Sequence, residues 1–442
     1  MNKKYKYSIH IFTRDLRIHD NTCLNFLLKN SDYVVPIFIF TPEQITKNKY
    51  KSNNSVQFLC ETLNELKKEI KIGIFYGDNI TVLKKIIKKI KINAISITKD
   101  YTPFSVKRES VIEHFCLENN IEFVCMEDYM LTGVNIIKNK SNKFYTKFTP
   151  YYNTAKNYKI KKCDYESFNN FFKINDNIDM TKLYIKNNNT IQKGGRKNAL
   201  KLLKNDLNKY DKTRNYLEYN TSLLSPYIKF GCISIREIYF FVKNNEFRKQ
   251  LYWRDFYYTI AYHHPHVFGN NMNNKNIKWI NDKKIFDSWK NGNTGFPIVD
   301  AGMRQLNTIG YMHNRARLIT SNFLIKILHI DWKYGEKYFA QKLVDYDPML
   351  NNGNWQWSGS TGVDSQPYFR YFNPWLQSKK FDLDCSYIKK WIPALKNIDS
   401  KYIHQWNIYY KNFDINFPKP IIDDIGVEII KTKKLYAGIS IS

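Results

Sequence analysis

Several features that would define a protein class are missing from this sequence. The longest clean apolar run, 34–40, is far too short for a membrane span of about 20 residues. Seven cysteines are present but none form a C-x-x-C pair, which favours reduced thiols over disulfides or structural zinc. The amino-terminal residues lack the apolar core of a signal peptide. We therefore expect an intracellular protein with no membrane partner, and the sequence does not decide between nucleus and cytoplasm.

Nucleotide-binding and metal-binding motifs are missing as well. There is no G-x-G-x-x-G and no Walker A motif, so neither a Rossmann dinucleotide site nor a P-loop is expected. The histidines at 263, 264 and 266 have no organised cysteine or carboxylate partners, so we predict no metal site. Tryptophan is absent from the first 252 residues, and all nine lie at or after Trp253. The two parts of the chain should therefore carry different chemistry.

Acidic residues are scarce relative to basic ones. The 442 residues include 40 Asp and Glu against 69 Lys and Arg, a net charge of +29, with 43% hydrophobic and 16% aromatic residues. This composition can bury a large core, and the length suits two or three domains. The charge indicates a polyanionic partner such as nucleic acid. A merely solvated basic surface is the alternative, because an AT-rich genome would also produce many lysines.

The first 130 residues alternate between apolar runs and helical patterns. The runs that predict buried parallel strands are 8–12, 34–40, 72–76, 94–98 and 122–126. This alternation predicts a doubly wound parallel-sheet α/β domain over 1–132. An Asn- and Lys-rich stretch over 133–195 has little period and indicates an interdomain linker that wraps the surface. From 196 to 442 helical patterns follow one another without strands, which predicts a second, all-α domain.

Residue types suited to nucleic-acid binding concentrate in this helical region. Aromatic planes stack on unpaired bases and guanidinium groups clamp phosphates. The candidates are Trp253, Arg254, Arg315, Trp355 and Trp357. Core packing is the alternative for any single tryptophan, but the small and polar neighbours of Trp355 and Trp357 make poor core.

Two other groups point to a bound cofactor. Arg317 and Asp345 lie in apolar helical surroundings, where charges are costly unless paired, and such a pair could stabilise an anionic redox ring. Tyr210, followed by the run 221–225, would place hydroxyl and backbone N–H groups at the start of a helix. That arrangement suits a phosphate, with a simple helix cap as the alternative.

Long ordered motifs occur in both parts of the chain. They are FTRDLRIHDN at 12–21, DYTPF at 100–104, YWRDF at 252–256, FPIVDAGMRQLN at 296–307, GYMHNRAR at 310–317 and NNGNWQW at 351–357. Together they resemble the DNA photolyase/cryptochrome family, and among its members most closely the class I cyclobutane pyrimidine dimer photolyases. The resemblance spans nearly the whole chain. It implies an α/β antenna domain followed by a helical domain that binds FAD and DNA.

The resemblance also assigns roles to individual residues. Those matched to FAD binding are Tyr210, Thr221, Ser222, Leu223, Leu224, Ser225, Arg317, Asp345, Tyr346, Asp347 and Asn351, the last facing flavin N5. Those matched to electron transfer between flavin and surface are Trp355, Trp332 and Trp279. Those matched to lesion or DNA contacts are Trp253, Arg315, Trp357 and Gln377, to which we add Arg254 and Asn314.

The implied activity is light-driven repair of cyclobutane dimers in UV-damaged DNA by a monomer. Two residues bear on the substrate. Gln250 replaces the glutamate usual in cyclobutane-dimer enzymes and is more typical of (6-4) photolyases, but Asn314 replaces a histidine that (6-4) repair needs as general acid. We predict cyclobutane dimers, and a (6-4) photolyase or a cryptochrome-type light-signalling flavoprotein stays as the alternative. A second antenna chromophore (folate, deazaflavin or flavin) is implied without being identified.

Overall fold

The computed structural model describes residues 3–175, 178–205, 207–273, 276–365 and 367–439. The strands are β1 (Tyr5–Phe12), β2 (Ser31–Phe40), β3 (Gly73–Tyr76), β4 (Ala94–Thr98) and β5 (Glu122–Met126). The α-helices of the first half are α1 (Thr22–Asn30), α2 (Pro42–Ile45), α3 (Asn53–Glu69), α4 (Asn79–Ile87), α5 (Pro103–Glu118), α6 (Phe148–Ala155), α7 (Arg196–Leu203) and α8 (Tyr210–Thr213). The remaining α-helices are α9 (Ser225–Lys229), α10 (Ile235–Phe241), α11 (Asn245–His263), α12 (Lys283–Asn291), α13 (Pro297–Ile309), α14 (Asn314–Lys326), α15 (Trp332–Lys342), α16 (Pro348–Ser358), α17 (Pro374–Phe381), α18 (Ser386–Trp391), α19 (Ser400–Ile403), α20 (Trp406–Tyr409) and α21 (Ile425–Tyr436). Short 3-10 helices cover Met180–Leu183, Pro265–Val267, Pro393–Leu395 and Tyr410–Asn412.

The five strands form one parallel sheet in the order β3-β2-β1-β4-β5. Every residue of β4 is buried, as are the last five of β1, and the buried polar side chains among them are paired: His10 Nδ1 and Ser96 Oγ lie 2.8 Å apart across the two strands. The order reverses between β1 and β4, as in doubly wound folds. All five predicted strands and the α/β class are confirmed.

Side-chain caps determine where several helices begin. Ser52 Oγ accepts from the Ser55 N–H at 3.2 Å before α3, and Asn244 Oδ1 accepts from the Phe247 N–H at 3.0 Å before α11. The second cap explains why α11 begins at Asn245. In the part of the chain that the structure describes, no helix is both long and apolar enough to cross a membrane.

The chain divides into two compact units. The first comprises Met1–Asn187, Gln192–Asn208 and Ser222–Pro265, and the second comprises Asn188–Ile191, Lys209–Thr221 and His266–Ser442. Helix α11 therefore belongs to the unit that contains the sheet. One reason is that its buried Asp255 accepts from the N–H groups of Leu131 and Thr132 at 2.8 and 3.1 Å. Hydrogen bonds of this kind leave no periodic signal in a sequence. The domain boundaries at 132 and 195 stay a prediction.

The segment predicted as a surface linker, 133–195, contains ordered elements of its own. Besides α6 it carries an extended stretch that pairs with β2. The Val34 N–H donates to Asn170 O at 2.9 Å, and the Phe172 N–H donates to Val34 O at 2.8 Å. The segment thus packs along the sheet.

Candidate functional site

An ion pair in the second unit joins α14 to the chain that follows α15. Arg317 Nη2 donates to both carboxylate oxygens of Asp345, at 2.8 and 3.1 Å, and Arg317 Nε donates to Met312 O at 2.8 Å. The Asp345 side chain is 4% exposed, whereas that of Arg317 is 25% exposed. Burial opposes the charge on Arg317, but Asp345 outweighs it and raises the pKa of the guanidinium. The predicted pairing is thus present, and a quarter of the Arg317 side chain is exposed.

A hydroxyl pair lies beside this guanidinium. Thr221 Oγ1 and the Tyr311 hydroxyl are 3.2 Å apart, and Arg317 Cζ is 5.3 Å from the centre of the Tyr311 ring. Tyr311 therefore links Thr221, predicted to bind phosphate, to the ion pair. Sequence reasoning overlooked Tyr311, although it lies inside the motif at 310–317.

Asn351 is held by a carboxyl group that no sequence motif indicated. Its Nδ2 donates to Glu336 O at 2.9 Å and to Glu336 Oε1 at 3.2 Å. Burial raises the pKa of Glu336 to about 7, and the Asn351 hydrogen bond lowers it only in part. One turn before Asn351, the buried Asp347 caps α16 by accepting from the N–H groups of Met349 and Leu350 at 3.0 and 3.3 Å. Asn351 is therefore fixed on a capped helix.

The raised pKa predicts a pH effect on stability. Because the folded protein binds the Glu336 proton more tightly than the unfolded chain does, this stabilisation is complete below about pH 4.5 and is lost as pH rises through 7. Each pKa unit corresponds to about 1.4 kcal/mol, so the free energy of unfolding of the wild-type protein should fall by about 3 kcal/mol over this pH range. Glu336→Gln cannot titrate at this position and should not show that decrease. Urea unfolding of both proteins between about pH 4 and 8, a range that includes both 4.5 and 7, measures this. Parallel pH profiles would show that Glu336 titrates normally.

The other predicted cofactor residues are divided between the two units. Ser222, Leu223, Leu224 and Ser225 belong to the first unit, where Leu223 has φ +54° and Ser222 Oγ accepts from the Leu224 N–H at 3.4 Å. Helix α9 starts at Ser225, but it is one turn long and Pro226 provides no N–H. In the second unit, Tyr210 begins α8 and Tyr346 is half-buried against the core. The local geometry at 221–225 therefore offers hydroxyl groups more than helix N–H groups.

Two of the predicted electron-transfer tryptophans, Trp355 and Trp332, lie in the core of the second unit, and the half-buried Trp279 packs against it. Trp355 is 2% exposed and contacts Phe339 and Trp289, with ring centres 4.9 and 6.2 Å away. The expectation that its small and polar neighbours disfavour core packing is wrong, because Asn352 and Gln356 are buried beside it and satisfy their amides by donating to Val267 O at 2.8 and 3.1 Å. Trp332 Nε1 donates to Asn271 Oδ1 at 2.8 Å, and the Trp279 ring lies 5.8 Å from that of Tyr436. Sequence reasoning overlooked Trp289, which is fully buried.

In the second unit, the predicted DNA contacts lie around the start of α14. Asn314 is exposed, and the half-buried Arg315 donates to Asn215 Oδ1 at 2.7 Å. The preceding His313 accepts from the Arg315 N–H at Nδ1, which leaves the proton on Nε2, a buried atom with no hydrogen-bond partner among the described residues. Burial lowers the pKa of His313 to about 4, with Arg315 and Arg317 adding repulsion, so the ring is neutral at pH 7.

Two more of these predicted contacts are half-buried. They are Trp357 on α16 and Gln377 on α17. Gln377 Oε1 is a buried acceptor that likewise has no partner among the described residues. With His313 Nε2, it is a polar atom that a bound ligand could satisfy.

Helix α11 of the first unit carries the other predicted contacts. Trp253 is half-buried and stacks on Phe148 with ring centres 3.6 Å apart and planes 10° apart. Gln250 is half-buried, and its Nε2 donates to Glu246 Oε1 at 3.1 Å. Arg254 points inward: it is 7% exposed and donates to Tyr129 O and, at 2.8 Å, to the Tyr258 hydroxyl. In this conformation Arg254 is a structural residue, so we leave it out of the proposed DNA surface.

Several side chains of the second unit suit a flavin. The partly exposed Arg317, held by Asp345, can face an anionic ring, and the Asn351 amide on its capped helix can face a ring nitrogen. The unsatisfied polar atoms of His313 and Gln377 in the same unit agree with a polar ligand. The chemistry of these side chains therefore fits the cofactor that the resemblance implies.

Comparisons with known proteins identify the family of this chain. Residues 8–166 match the sequence model of DNA photolyase, and residues 247–428 match that of the FAD binding domain of DNA photolyase. The deoxyribodipyrimidine photo-lyase of Buchnera aphidicola subsp. Acyrthosiphon pisum is 37% identical over 93% of this chain and 93% of its own length. This identity and this coverage are high enough to establish common ancestry along almost the whole chain.

Two solved structures share the fold. The photolyase of Sulfolobus tokodaii, solved with two FAD molecules, is 39% identical with a TM-score of 0.90 and covers 98% of this chain and 100% of its own. A class III photolyase of Agrobacterium tumefaciens is 28% identical with a TM-score of 0.90 and covers 99% and 98%. The class within the family stays a prediction. The chain belongs to the DNA photolyase family, and residues 247–428 carry the family's FAD-binding domain.

Proposed function

We propose that this protein is a light-dependent lyase that splits cyclobutane pyrimidine dimers in UV-damaged DNA. The observation that carries the proposal is the Arg317–Asp345 pair, which lies with Asn351 inside the segment that matches the FAD-binding domain. Support for the substrate comes from the Buchnera relative, whose name specifies a deoxyribodipyrimidine photo-lyase. When bound and reduced, FAD supplies a light-excited electron that opens the cyclobutane ring and then returns.

In this proposal, the chain's own residues bind the flavin and fix its orientation. Arg317 holds positive charge beside the flavin ring, and Asp345 keeps that guanidinium in place through two hydrogen bonds. Asn351 presents its amide to the flavin from α16, in an orientation fixed by Glu336. Trp355, Trp332 and Trp279 remain the proposed route for reducing the flavin, with Trp289 as an additional ring next to Trp355.

Lesion contacts are proposed for the residues that keep polar or aromatic surface accessible. Trp253 and Trp357 supply ring faces or edges, and Gln250 supplies amide N–H groups. Flipping a dimer out of a duplex costs a few kcal/mol, and least where stacking is already distorted. Aromatic side chains offset that cost by stacking on the flipped bases.

A second chromophore is proposed for the α/β unit. The Sulfolobus tokodaii photolyase contains two FAD molecules, which makes a second flavin the first candidate to test. Folate and deazaflavin are the other candidates. Extraction of the pigments from the purified protein, followed by chromatography, identifies which is bound.

Substrate choice is tested with two oligonucleotides, one bearing a cyclobutane dimer and the other a (6-4) product. Under illumination we expect the first to be repaired and the second to stay unchanged, because Asn314 cannot act as the general acid that (6-4) repair needs. Gln250→Glu should keep cyclobutane repair, whereas Gln250→Leu should lower the quantum yield, since it removes a hydrogen-bond donor to the reduced dimer. Product is read by chromatography.

Each contrary outcome has a distinct meaning. Repair of the (6-4) oligonucleotide would overturn the substrate. If a flavin-loaded protein repairs neither oligonucleotide, the proposed lyase activity is wrong and light signalling is favoured.

A further inference from the structure

The segment 138–162 is the most one-sided stretch of charge around the proposed lesion-binding helix. Its 25 residues include eight lysines and no Asp, Glu or Arg, whereas the other 417 residues carry a net charge of +21. Seven of the eight lysines are exposed; they are Lys140, Lys143, Lys147, Lys156, Lys159, Lys161 and Lys162. The density of basic residues, 8 in 25, is about twice that of the whole chain, 69 in 442.

Two aromatic stacks dock this segment on α11. Phe148 stacks on Trp253 with ring centres 3.6 Å apart, and Phe144 stacks on His263 with ring centres 3.5 Å apart and planes 18° apart. Trp253 and His263 are separated by about 15 Å of helix, so the segment follows α11 over nearly three turns. Phe148 is 2% exposed and so forms a buried anchor. Lys143 and Lys147, adjacent in sequence to the two anchors, are thereby held near the helix that carries Gln250 and Trp253.

The basic surface continues from α6 to α11. Lys156 of α6 and Lys249 of α11 place their Nζ atoms 5.7 and 5.5 Å from the centre of the same Tyr152 ring. Two ammonium groups that share one ring repel each other, and that repulsion falls when an anion binds between them. The two helices therefore present one cationic surface.

We propose that segment 138–162, together with Lys249, binds the phosphate backbone of duplex DNA next to the lesion. Lysine ammonium groups act as point charges that contact phosphates irrespective of sequence, which suits an enzyme that must find damage anywhere. The anchor through Phe148 couples this surface to Trp253, so phosphate contacts fix the register in which Trp253 meets the bases. The inference rests on the proposed function only in naming DNA as the polyanion.

The test compares two variants with the same change in charge. One replaces Lys140, Lys143, Lys147 and Lys156 with Gln, and the control replaces Lys84, Lys85, Lys88 and Lys89, four exposed lysines in and just after α4. Binding of undamaged duplex is followed by fluorescence anisotropy between about 50 and 200 mM salt. In the first variant, the slope of log K against log salt should become shallower by about 0.9 for each phosphate that is no longer neutralised, with affinity falling about tenfold or more. The control should change by less than about threefold.

Equal decreases in the two variants, or an unchanged affinity in the first, would overturn the proposal. Binding to phosphatidylserine vesicles is measured in parallel, and a decrease there with unchanged DNA affinity would assign the surface to a membrane and also overturn it. Light-driven repair of the cyclobutane oligonucleotide at saturating protein is recorded separately. A wild-type protein that binds duplex through this segment but repairs nothing would contradict the proposed function and leave this inference standing.

Discussion

Replacing Arg317 with methionine should destabilise the protein by about 3 to 5 kcal/mol and abolish flavin binding. The change removes the guanidinium that pairs with Asp345, a carboxylate whose side chain is 4% exposed. It also removes the donor to Met312 O. Stability is measured by urea unfolding after removal of flavin, because a bound ligand would add its own contribution.

The matched control is the double variant Arg317→Met/Asp345→Leu. Replacing both members of a buried ion pair with apolar residues is often neutral for stability, so most of the loss should be recovered. Flavin binding, followed by absorbance after gel filtration, should stay absent, since the cation at the proposed ring is still missing. A double variant that binds flavin normally would show that the pair is purely structural.

Trp253→Ala should weaken binding of a dimer-containing duplex by roughly one to two orders of magnitude, because base–aromatic stacking is worth about 1–3 kcal/mol per base. Undamaged duplex should be affected much less, since phosphate contacts dominate there. Anisotropy titrations with both duplexes at one salt concentration measure the difference.

The Trp253 experiment needs a control for packing, since the indole also stacks on Phe148. Trp253→Phe keeps an aromatic plane against Phe148 and should retain part of the preference for damaged DNA. Thermal unfolding of both variants separates an effect on packing from an effect on recognition. Equal decreases of affinity on damaged and undamaged duplex would rule out a lesion-reading role for Trp253.

Several features of this protein were determined by the sequence alone. The isoleucines of β1 and β4 are buried because both faces of a parallel sheet are covered, so the strand positions follow from short windows. The ordered motifs at 310–317 and 351–357 were specific enough to indicate the family and its cofactor. The pairing of Arg317 with Asp345 was also predictable, since each is a charge in apolar surroundings.

Other features were decided only by tertiary structure. Asn351 meets Glu336, 15 residues away; Thr221 meets Tyr311, 90 residues away; and Trp253 meets Phe148 from a segment that looked like a linker. Periodicity reports which side of an element is buried, but it does not report which distant element covers that side. For the same reason Arg254 and Trp355 turned out to be interior residues, although their chemistry suited ligand contact. Where the Arg254 and Trp355 side chains point depends on how their helices are oriented against the elements that they pack on.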